Sequence, residues 1–344
     1  MSNVIEQQVF QREGDPMIYL QVMGQWFYYD PFSTPLGEGA MGTVYLGYSC
    51  NSNYRIAVKR VKDIYANNKM IRERARQEAS LSFTHPNLVQ MIGMCEYQFD
   101  KGPIFILSNY VAGVTLETHV KEQLNQLAPQ DRIEKICNEI CCVLDALQYL
   151  HTRGVVHRDI KPSNIMIENG TVVKLMDLGI ARMNGGNKYS SYGFIGTPQY
   201  AAPEQILRES LHSEINARTD IYSLGVTFYE LLTGINPFNS QIEAEILSNQ
   251  VTKKLPYDKV IPKKLFKVLL KATEKESVKR YASALEFKDA INEAISRPDQ
   301  NRLMFGLEEH RGFLVILFSF VIVLLVIITL IAVSYTHLTL PTIA

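Results

Sequence analysis

The strongest constraint on how this chain can fold is a change of periodicity near Gly113. From Trp26 to Leu107 the sequence is mostly short β-like runs: "FYYDPFSTPLG", "GTVYLGYSC", "YRIAVKRVK", "LVQMIGMCEY" and "PIFILSNYV", with one helical stretch at roughly 68–82 between them. Beyond Gly113 long amphipathic helical patterns take over, such as "DRIEKICNEICCVLDALQYLHTRG" with its stop at Gly154. A β-rich part followed by an α-rich part predicts an α+β chain of two lobes with a cleft between them. Residues 1–24 are mixed and carry no clear signal, so they read as an N-terminal extension of a domain spanning 25–295.

Composition narrows the partners. Lys plus Arg and Asp plus Glu are both 35, a net charge of zero, which excludes nucleic acid as the main partner because phosphate backbones call for a basic excess. The five cysteines (Cys50, Cys95, Cys137, Cys141, Cys142) are odd in number and lack framework spacing, which implies reduced thiols in a cytosolic compartment. Cys137 and Cys141 are four apart on a helical pattern and could ligate a metal, but a small buried hydrophobe is the commoner use of free Cys.

One segment is not globular in character. Residues 313–333 read "FLVILFSFVIVLLVIITLIAV", without a charge. At 1.5 Å per residue this run measures about 31 Å, the thickness of a bilayer's hydrocarbon core. Arg297, Arg302 and Arg311 precede it and no Lys or Arg follows, which places the N-terminal side in the cytoplasm. The expectation is a single-pass protein of the cell membrane, with a juxtamembrane linker over 296–312. The closing run "VSYTHLTLPTIA" carries no charge, and one back-translation of Val333 to Thr342 matches a transposon-end adapter of sequencing libraries. Residues 334–344 are therefore read as an artefact, with the natural chain diverging near Val333 into an extracytoplasmic sensor.

The chemistry-bearing residues occur in order. "LGEGAMGTVY" carries Gly37, Gly39 and Gly42 before a β-like run, so these glycines are expected to tip a hairpin rather than open a helix. Lys59 interrupts the apolar strand "IAVKR"; it is either a solvent-facing strand lysine or a cation facing the cleft beneath the hairpin. "VVHRDIKPSN" then releases Asp159, Lys161 and Asn164 in one loop. A carboxylate can take a hydroxyl proton, an ammonium can neutralise a transferring phosphate, and an amide oxygen can bind a hard cation. Thirteen residues beyond Asn164, Asp177 ends the apolar run of "LMDLG" and offers a second oxygen ligand.

With those motifs in place the sequence closely resembles the protein kinase family over about residues 26–295. "GEGAMGTV" is similar to its glycine-rich loop, "AVK" to its lysine strand, "HRDIKPSN" to its catalytic loop and "DLG" to its metal-binding Asp-x-Gly. "GTPQYAAPE" resembles the end of the activation segment, and "TDIYSLGV" the start of the helix that braces the catalytic loop. With Lys161 in it, that loop is similar to the serine/threonine type, since tyrosine kinases usually lack Lys at that place. A cytoplasmic kinase ahead of one membrane helix resembles the bacterial receptor-type serine/threonine kinases.

The resemblance implies a two-lobed kinase fold, ATP and Mg2+ as cosubstrate and cofactor, protein Ser or Thr as acceptor, and dimerisation for trans-autophosphorylation. Lys59 would hold the α- and β-phosphates and pair with a helix glutamate, Glu78 or alternatively Glu73. Asp159 would orient and deprotonate the acceptor hydroxyl, Lys161 would steady the γ-phosphate, and Thr197 would close the site. Asn164 and Asp177 would hold magnesium. Leu36, the glycines, Val44 and Ala57 would cover the nucleotide, with Met166 beneath the adenine and the backbone at Asn109 and Val111 bonding its edge. Glu204 would pair with Arg280, and Asp220 would bond the catalytic-loop backbone. Arg158 calls for an anion from the activation segment, for which Ser190, Ser191 and Thr197 are candidates. Two departures stand out: Leu178 replaces the usual Phe after the metal-binding Asp, and Ser108 occupies the gatekeeper position at the back of the adenine pocket, where a larger residue is common. The competing expectations are a pseudokinase scaffold and a kinase of small molecules; the peptide platform implied by "GTPQYAAPE" argues against the second.

Overall fold

The computed structural model describes residues 8–39, 42–66, 69, 72, 76, 83–98, 101–177, 189–190, 193–194, 197–207 and 214–296. Residues 1–293 form one compact unit; of a second unit, 294–344, only the first three residues are described. Glu73, Glu78, Leu178 and Ser191 lie outside the described residues, as do the membrane run 313–333 and the tail. Among the described residues no helix is long and apolar enough to cross a membrane.

The chain opens with β1 (Val9–Gln11), β2 (Ile18–Val22) and β3 (Gln25–Tyr29). With the short helix α1 (Asp63–Ala66) set after β6, the strands continue as β4 (Gly37–Glu38), β5 (Gly42–Ser49), β6 (Arg55–Val61), β7 (Met91–Gln98) and β8 (Lys101–Asn109). All belong to one sheet of order β1-β2-β3-β5-β6-β8-β7, with β4 paired on β5. The pairings are antiparallel throughout. Within the N-terminal extension, which carries no clear sequence signal, residues 8–24 supply two strands of the sheet, joined to β3 by a two-residue turn in which Met23 (φ 49°) and Gly24 (φ 75°) both take positive φ. That is the turn whose twist matches a hairpin. β3 then pairs with the far end of β5, Phe27 opposite Ser49 and Tyr29 opposite Gly47.

The alternation of strand side chains gives this sheet two apolar faces. Ile56 and Val58 of β6 turn to one side, where Val9, Leu20, Val22, Phe27 and Tyr29 from the first three strands pack with Cys95, Phe105 and Leu107. Val61 and Ile104 turn to the other, with Met94 and Ile106.

The second part is helical. After β9 (Gly113–Thr115) come α2 (Leu116–Glu122), capped by the Thr115 side chain, and α3 (Pro129–His151), which starts with Pro at its first turn. α3 buries Ile136, Ile140, Leu144, Leu147 and Leu150 and gives way to the Gly154 turn (φ 75°). β10 (Ile165–Glu168) and β11 (Val172–Leu175) form a three-stranded sheet with β9. Beyond lie α4 (Pro203–Ile206), α5 (Ala217–Thr233), α6 (Glu243–Thr252), α7 (Lys263–Ala272) and α8 (Ala284–Ser296). α5 is buried on nearly every side and is bounded by an Asn216–Thr219 capping box and by Gly234 (φ 79°).

Cys137 and Cys141 are free thiols in the buried face of α3. Cys141 donates to Asn292 Oδ1 at 3.6 Å, and burial pushes its thiol up to about 11. Among the described residues no group of three or more His, Cys, Asp or Glu gathers as a metal cage.

A titratable pair is buried between α2 and α3, His119 Nε2 lying 3.1 Å from Glu139 Oε1. Burial favours the neutral form of both: it pushes the Glu139 carboxyl up to about 7 and the His119 imidazole down. For Glu139 the folded pKa lies above the unfolded one, so its contribution is fully present below about 4.5 and is lost as pH rises through about 7. Glu139→Gln is therefore expected to stabilise the domain at pH 8 relative to the parent, by ~2 kcal/mol, and to change little near pH 4.5. Thermal unfolding of both proteins at the two pH values checks this; an offset independent of pH contradicts it.

Candidate active site

The cleft face of the sheet follows from strand register. Residues opposite one another across antiparallel strands share a face, as do positions two apart. Val44 stands opposite Lys59, Leu46 opposite Ala57, and Ala57 opposite Ser108. Val44, Ala57, Lys59 and Ser108 thus line one surface, and Lys59 is not a strand lysine turned away from the cleft. The expected glycine hairpin is formed by β4 and β5: Leu36 N–H donates to Val44 O at 2.8 Å and Gly39 N–H to Gly42 O at 2.9 Å. Its glycines have different reasons. A Cβ at Gly37 would meet nothing within 4 Å, and one at Gly39 only Gly42 O at 3.9 Å, whereas one at Gly42 would sit 2.5 Å from Arg60 O. Packing forbids a side chain at Gly42; at Gly37 and Gly39 the space around a Cβ is open.

The two parts are joined behind the cleft. Asn87 O accepts from Leu175 N at 2.8 Å, Val89 N–H donates to Leu175 O at 3.0 Å, and Asn87 Nδ2 bonds Val173 O at 3.0 Å. This fastens the end of β11, two residues before Asp177, against the segment leading into β7. Asp177 (φ 43°) then meets Lys59, Nζ to Oδ2 at 2.9 Å. The Lys59 ammonium holds the Asp177 carboxyl below the usual carboxylate range, so this group is an anion at neutral pH.

The catalytic-loop segment is held from below by Asp220, near the start of α5 and fully buried. Its Oδ2 accepts from His157 N at 2.8 Å and its Oδ1 from Arg158 N at 2.7 Å, which the sequence anticipates. His151 Nε2, 2.8 Å from Asp220 Oδ2, was not anticipated. Arg158 takes a positive φ of 67°, uncommon for a residue with a side chain, and two carboxylate bonds flank that peptide. Gln205 Nε2 adds a bond to Arg158 O at 3.1 Å. His157 is wholly buried, and burial pushes its imidazole down. Its Nε2 faces Met176 O at 2.8 Å and its Nδ1 faces Asp159 N at 3.4 Å, a pair of contacts that the neutral Nε2–H tautomer satisfies.

The polar groups of that loop converge. Asn164 Nδ2 donates to Asp159 O at 2.8 Å and to Asp159 Oδ2 at 3.1 Å. Lys161 Nζ lies 3.3 Å from Asp159 Oδ2 and donates to Thr197 Oγ1 at 2.9 Å, while Thr197 reaches Asp159 Oδ1 at 3.4 Å. Met176 N–H bonds Asn164 O at 2.8 Å, which sets Asp177 beside the same loop. Because the Asn164 amide nitrogen is turned to Asp159, its oxygen is the end that can ligate a cation. One amide oxygen and one carboxylate are few ligands for a protein cage, but they suit a divalent cation that keeps waters and phosphate oxygens.

Around the adenine position, Met166 of β10 pairs with Thr115 of β9, Val111 is buried, and Asn109 N–H donates to Gln90 O at 2.9 Å. Ser108 is only half-buried. Purine analogues with bulky substituents are expected to inhibit this protein at least tenfold better than its Ser108→Met variant, since an unbranched thioether would fill the space behind the adenine. Dose–response curves for one such analogue decide it; equal inhibition would contradict the placement of Ser108.

A second feature escaped the sequence. Arg72 and Arg76 both reach Glu96 of β7, Arg72 Nη1 at 2.7 Å and Arg76 Nε at 2.8 Å, with Arg72 almost fully buried. Their spacing of four on a helical pattern was the only available signal. Glu204 and Arg280 form the expected pair, bidentate at 2.7 and 2.8 Å, with Thr219 Oγ1 donating to the same carboxylate at 2.8 Å.

A glycine hairpin and a strand lysine above a cleft, with an Asp–Lys–Asn loop and a second Asp below, form the arrangement of the two-lobed phosphotransferases. Comparison with known proteins agrees. The protein kinase domain matches residues 32–304. Serine/threonine-protein kinase PknB of Mycolicibacterium smegmatis is 34% identical over 267 residues, 74% of this chain and 41% of that protein. Serine/threonine-protein kinase Pkn1 of Myxococcus xanthus is 34% identical over 278 residues, 76% of this chain and 37% of that protein. The crystal structure of the Mycobacterium tuberculosis PknI kinase domain superposes with a TM-score of 0.58 at 26% identity, covering 80% of this chain and 98% of that one. The chain belongs to the protein kinase family, and it spans about two fifths of the length of the curated relatives it matches.

Proposed function

We propose that this protein transfers the γ-phosphate of ATP to serine or threonine hydroxyls of other proteins. The observation that carries the reading is the convergence of Lys161, Thr197 and Asn164 on the Asp159 carboxylate, beside an Asp177 already neutralised by Lys59. In this reading Asp159 Oδ1 accepts the hydrogen bond of the acceptor hydroxyl and takes its proton as the bond to phosphorus forms. Asn164 and Lys161 hold that carboxylate in place. Lys161 also lies within reach of the oxygens of the transferring group, and Thr197 bonds both its ammonium and the Asp159 carboxylate. Lys59 holds the nucleotide's inner phosphates, with Leu36, Gly37, Gly39, Gly42 and Val44 above them and Ala57, Asn109, Val111 and Met166 around the base. Asn164 and Asp177 are the residues that would hold Mg2+, which when bound draws charge from the phosphate oxygens.

Residues 313–333 are proposed to anchor the protein in the cell membrane with the kinase domain on the cytoplasmic side, as the arginine bias suggests. Two copies on one membrane would then be placed to phosphorylate each other. Incubating the full chain, in lipid nanodiscs, with Mg-ATP and a generic basic protein tests the chemistry. Phosphoserine or phosphothreonine in the added protein or in the chain itself is expected. Nucleotide binding without any transfer would establish a scaffold instead. Protease protection of the kinase domain in sealed cell-derived vesicles tests the orientation.

A further inference from the structure

The turn that follows Thr197 is fixed from inside the protein by a residue that belongs to none of the motifs. Pro198–Tyr200 is a single half-buried helical turn, and it begins one residue from the hydroxyl that bonds Lys161 and Asp159. A protein hydroxyl that reaches Asp159 Oδ1 brings its flanking chain past this turn, so the turn is part of the surface on which an acceptor lies. Two of its carbonyls are held from within. Gln250 of α6, which has no exposed surface, donates through Nε2 to Pro198 O at 3.2 Å and to Gln199 O. One amide thereby fixes two successive peptide planes.

Gln250 is itself oriented by two residues from other elements. Tyr222 of α5 donates its phenol proton to Gln250 Oε1 at 2.7 Å. Lys275 Nζ donates to the Tyr222 oxygen at 2.7 Å and to Gln250 O at 2.8 Å. Tyr222 and Phe238 are fully buried, and the Lys275 nitrogen lies 5.0 Å and 4.3 Å from their ring centroids. An ammonium only donates and a phenol has one proton, so the chain from Lys275 through Tyr222 to the Gln250 oxygen has one sense. It leaves the Gln250 NH2 aimed at the two carbonyls. Hydrogen bonds linked in this way strengthen one another. Burial, joined by the Arg280 charge and opposed by that of Glu274, pushes the Lys275 ammonium down to about 7, so the charged form prevails at pH 6.

We propose that Gln250 is a positioning residue for the acceptor, a role that rests on the acceptor being a protein. It holds the Pro198–Tyr200 turn in the conformation on which an acceptor chain can lie, and Tyr222 and Lys275 set its orientation. A turn that keeps this conformation only about one tenth of the time would bind an acceptor about tenfold more weakly. Transfer from a bound acceptor would change little, because Thr197 keeps its own bonds to Lys161 and Asp159.

The test measures steady-state transfer from Mg-ATP to myelin basic protein at pH 6, with the full chain in lipid nanodiscs. Gln250→Met is expected to raise the acceptor KM about tenfold, with kcat within about threefold and ADP affinity within about twofold of the parent. Tyr222→Phe, which keeps the ring and removes only the hydroxyl, and Lys275→Met are each expected to raise KM about three- to fivefold. Either keeps the test decisive should Gln250→Met not fold. Asn249→Ala removes a different bond of the same helix, Nδ2 to Phe238 O at 3.3 Å, and is expected to leave KM within about twofold. A tie that served stability alone would lower kcat and the unfolding temperature and leave KM in place. That result, or an equal rise in KM for Asn249→Ala, would overturn the positioning role. A parent that phosphorylates no protein would overturn the kinase reading and this role with it. A parent that does, beside variants of unchanged KM, would overturn this role alone.

Discussion

Asp159→Asn is expected to lower the phosphoryl-transfer rate by about 10²–10⁴-fold while leaving nucleotide affinity within about twofold. An amide is nearly isosteric with a carboxylate and can keep the contacts to Asn164 and Thr197. It cannot take a proton, and it places a donor where the acceptor hydroxyl needs an acceptor. Lys59→Met is expected to cost as much by a different route, because it removes the cation 2.9 Å from Asp177 and leaves the phosphates without their strand partner. Steady-state kinetics with a protein acceptor, beside direct nucleotide titration, separates the two variants. Turnover within tenfold of the parent for Asp159→Asn would defeat the assignment of the base.

The largest stability effect is expected at Arg280. Its guanidinium and the Glu204 carboxylate are both almost fully buried, and it also bonds the carbonyls of Glu274 at 2.7 Å, Arg218 at 2.9 Å and Lys275 at 3.0 Å. Arg280→Leu strands a buried carboxylate and leaves three carbonyls short of donors, a loss of ~3–5 kcal/mol. That is a large fraction of what holds most domains together. The double variant Glu204→Leu/Arg280→Leu is expected to recover part of it, since the pair's desolvation is then no longer incurred. Urea denaturation of the parent, single and double variants measures both. A loss below ~1 kcal/mol in the single variant would mean that water reaches Glu204.

Much of the cleft was legible because its chemistry is encoded locally. Asp159, Lys161 and Asn164 lie within six residues, and a loop of that length between α3 and β10 brings their side chains together whatever surrounds it. Gly154 as a helix stop and the glycine hairpin were legible for the same reason: the signal sits on the residues that form the turn. The ion pair of Glu204 and Arg280, 76 residues apart, was legible only through resemblance to a family, because nothing local in "APEQ" or "KRYAS" names a partner. The cluster of Arg72 and Arg76 on Glu96 had no such resemblance to draw on. A helical spacing of four says that two side chains share a face, but not which strand that face meets.

The sequence by itself determined the inventory and order of the reacting groups, the β-rich and α-rich halves, and an uncharged run long enough to span a bilayer. Only the tertiary structure decided that residues 8–24 belong to the sheet. "IYLQV" and "QWFYY" are short and half polar, and Met23 is not a residue that announces a turn, so their backbone preference was weak on its own. What makes them strands is pairing: β2 on β3 in register, β3 on the far end of β5, and Leu20 and Phe27 buried against Ile56 and Val58. Backbone hydrogen bonds to a strand elsewhere in the chain leave no mark on the residues that make them, and burial on a distant face becomes visible only once that face exists.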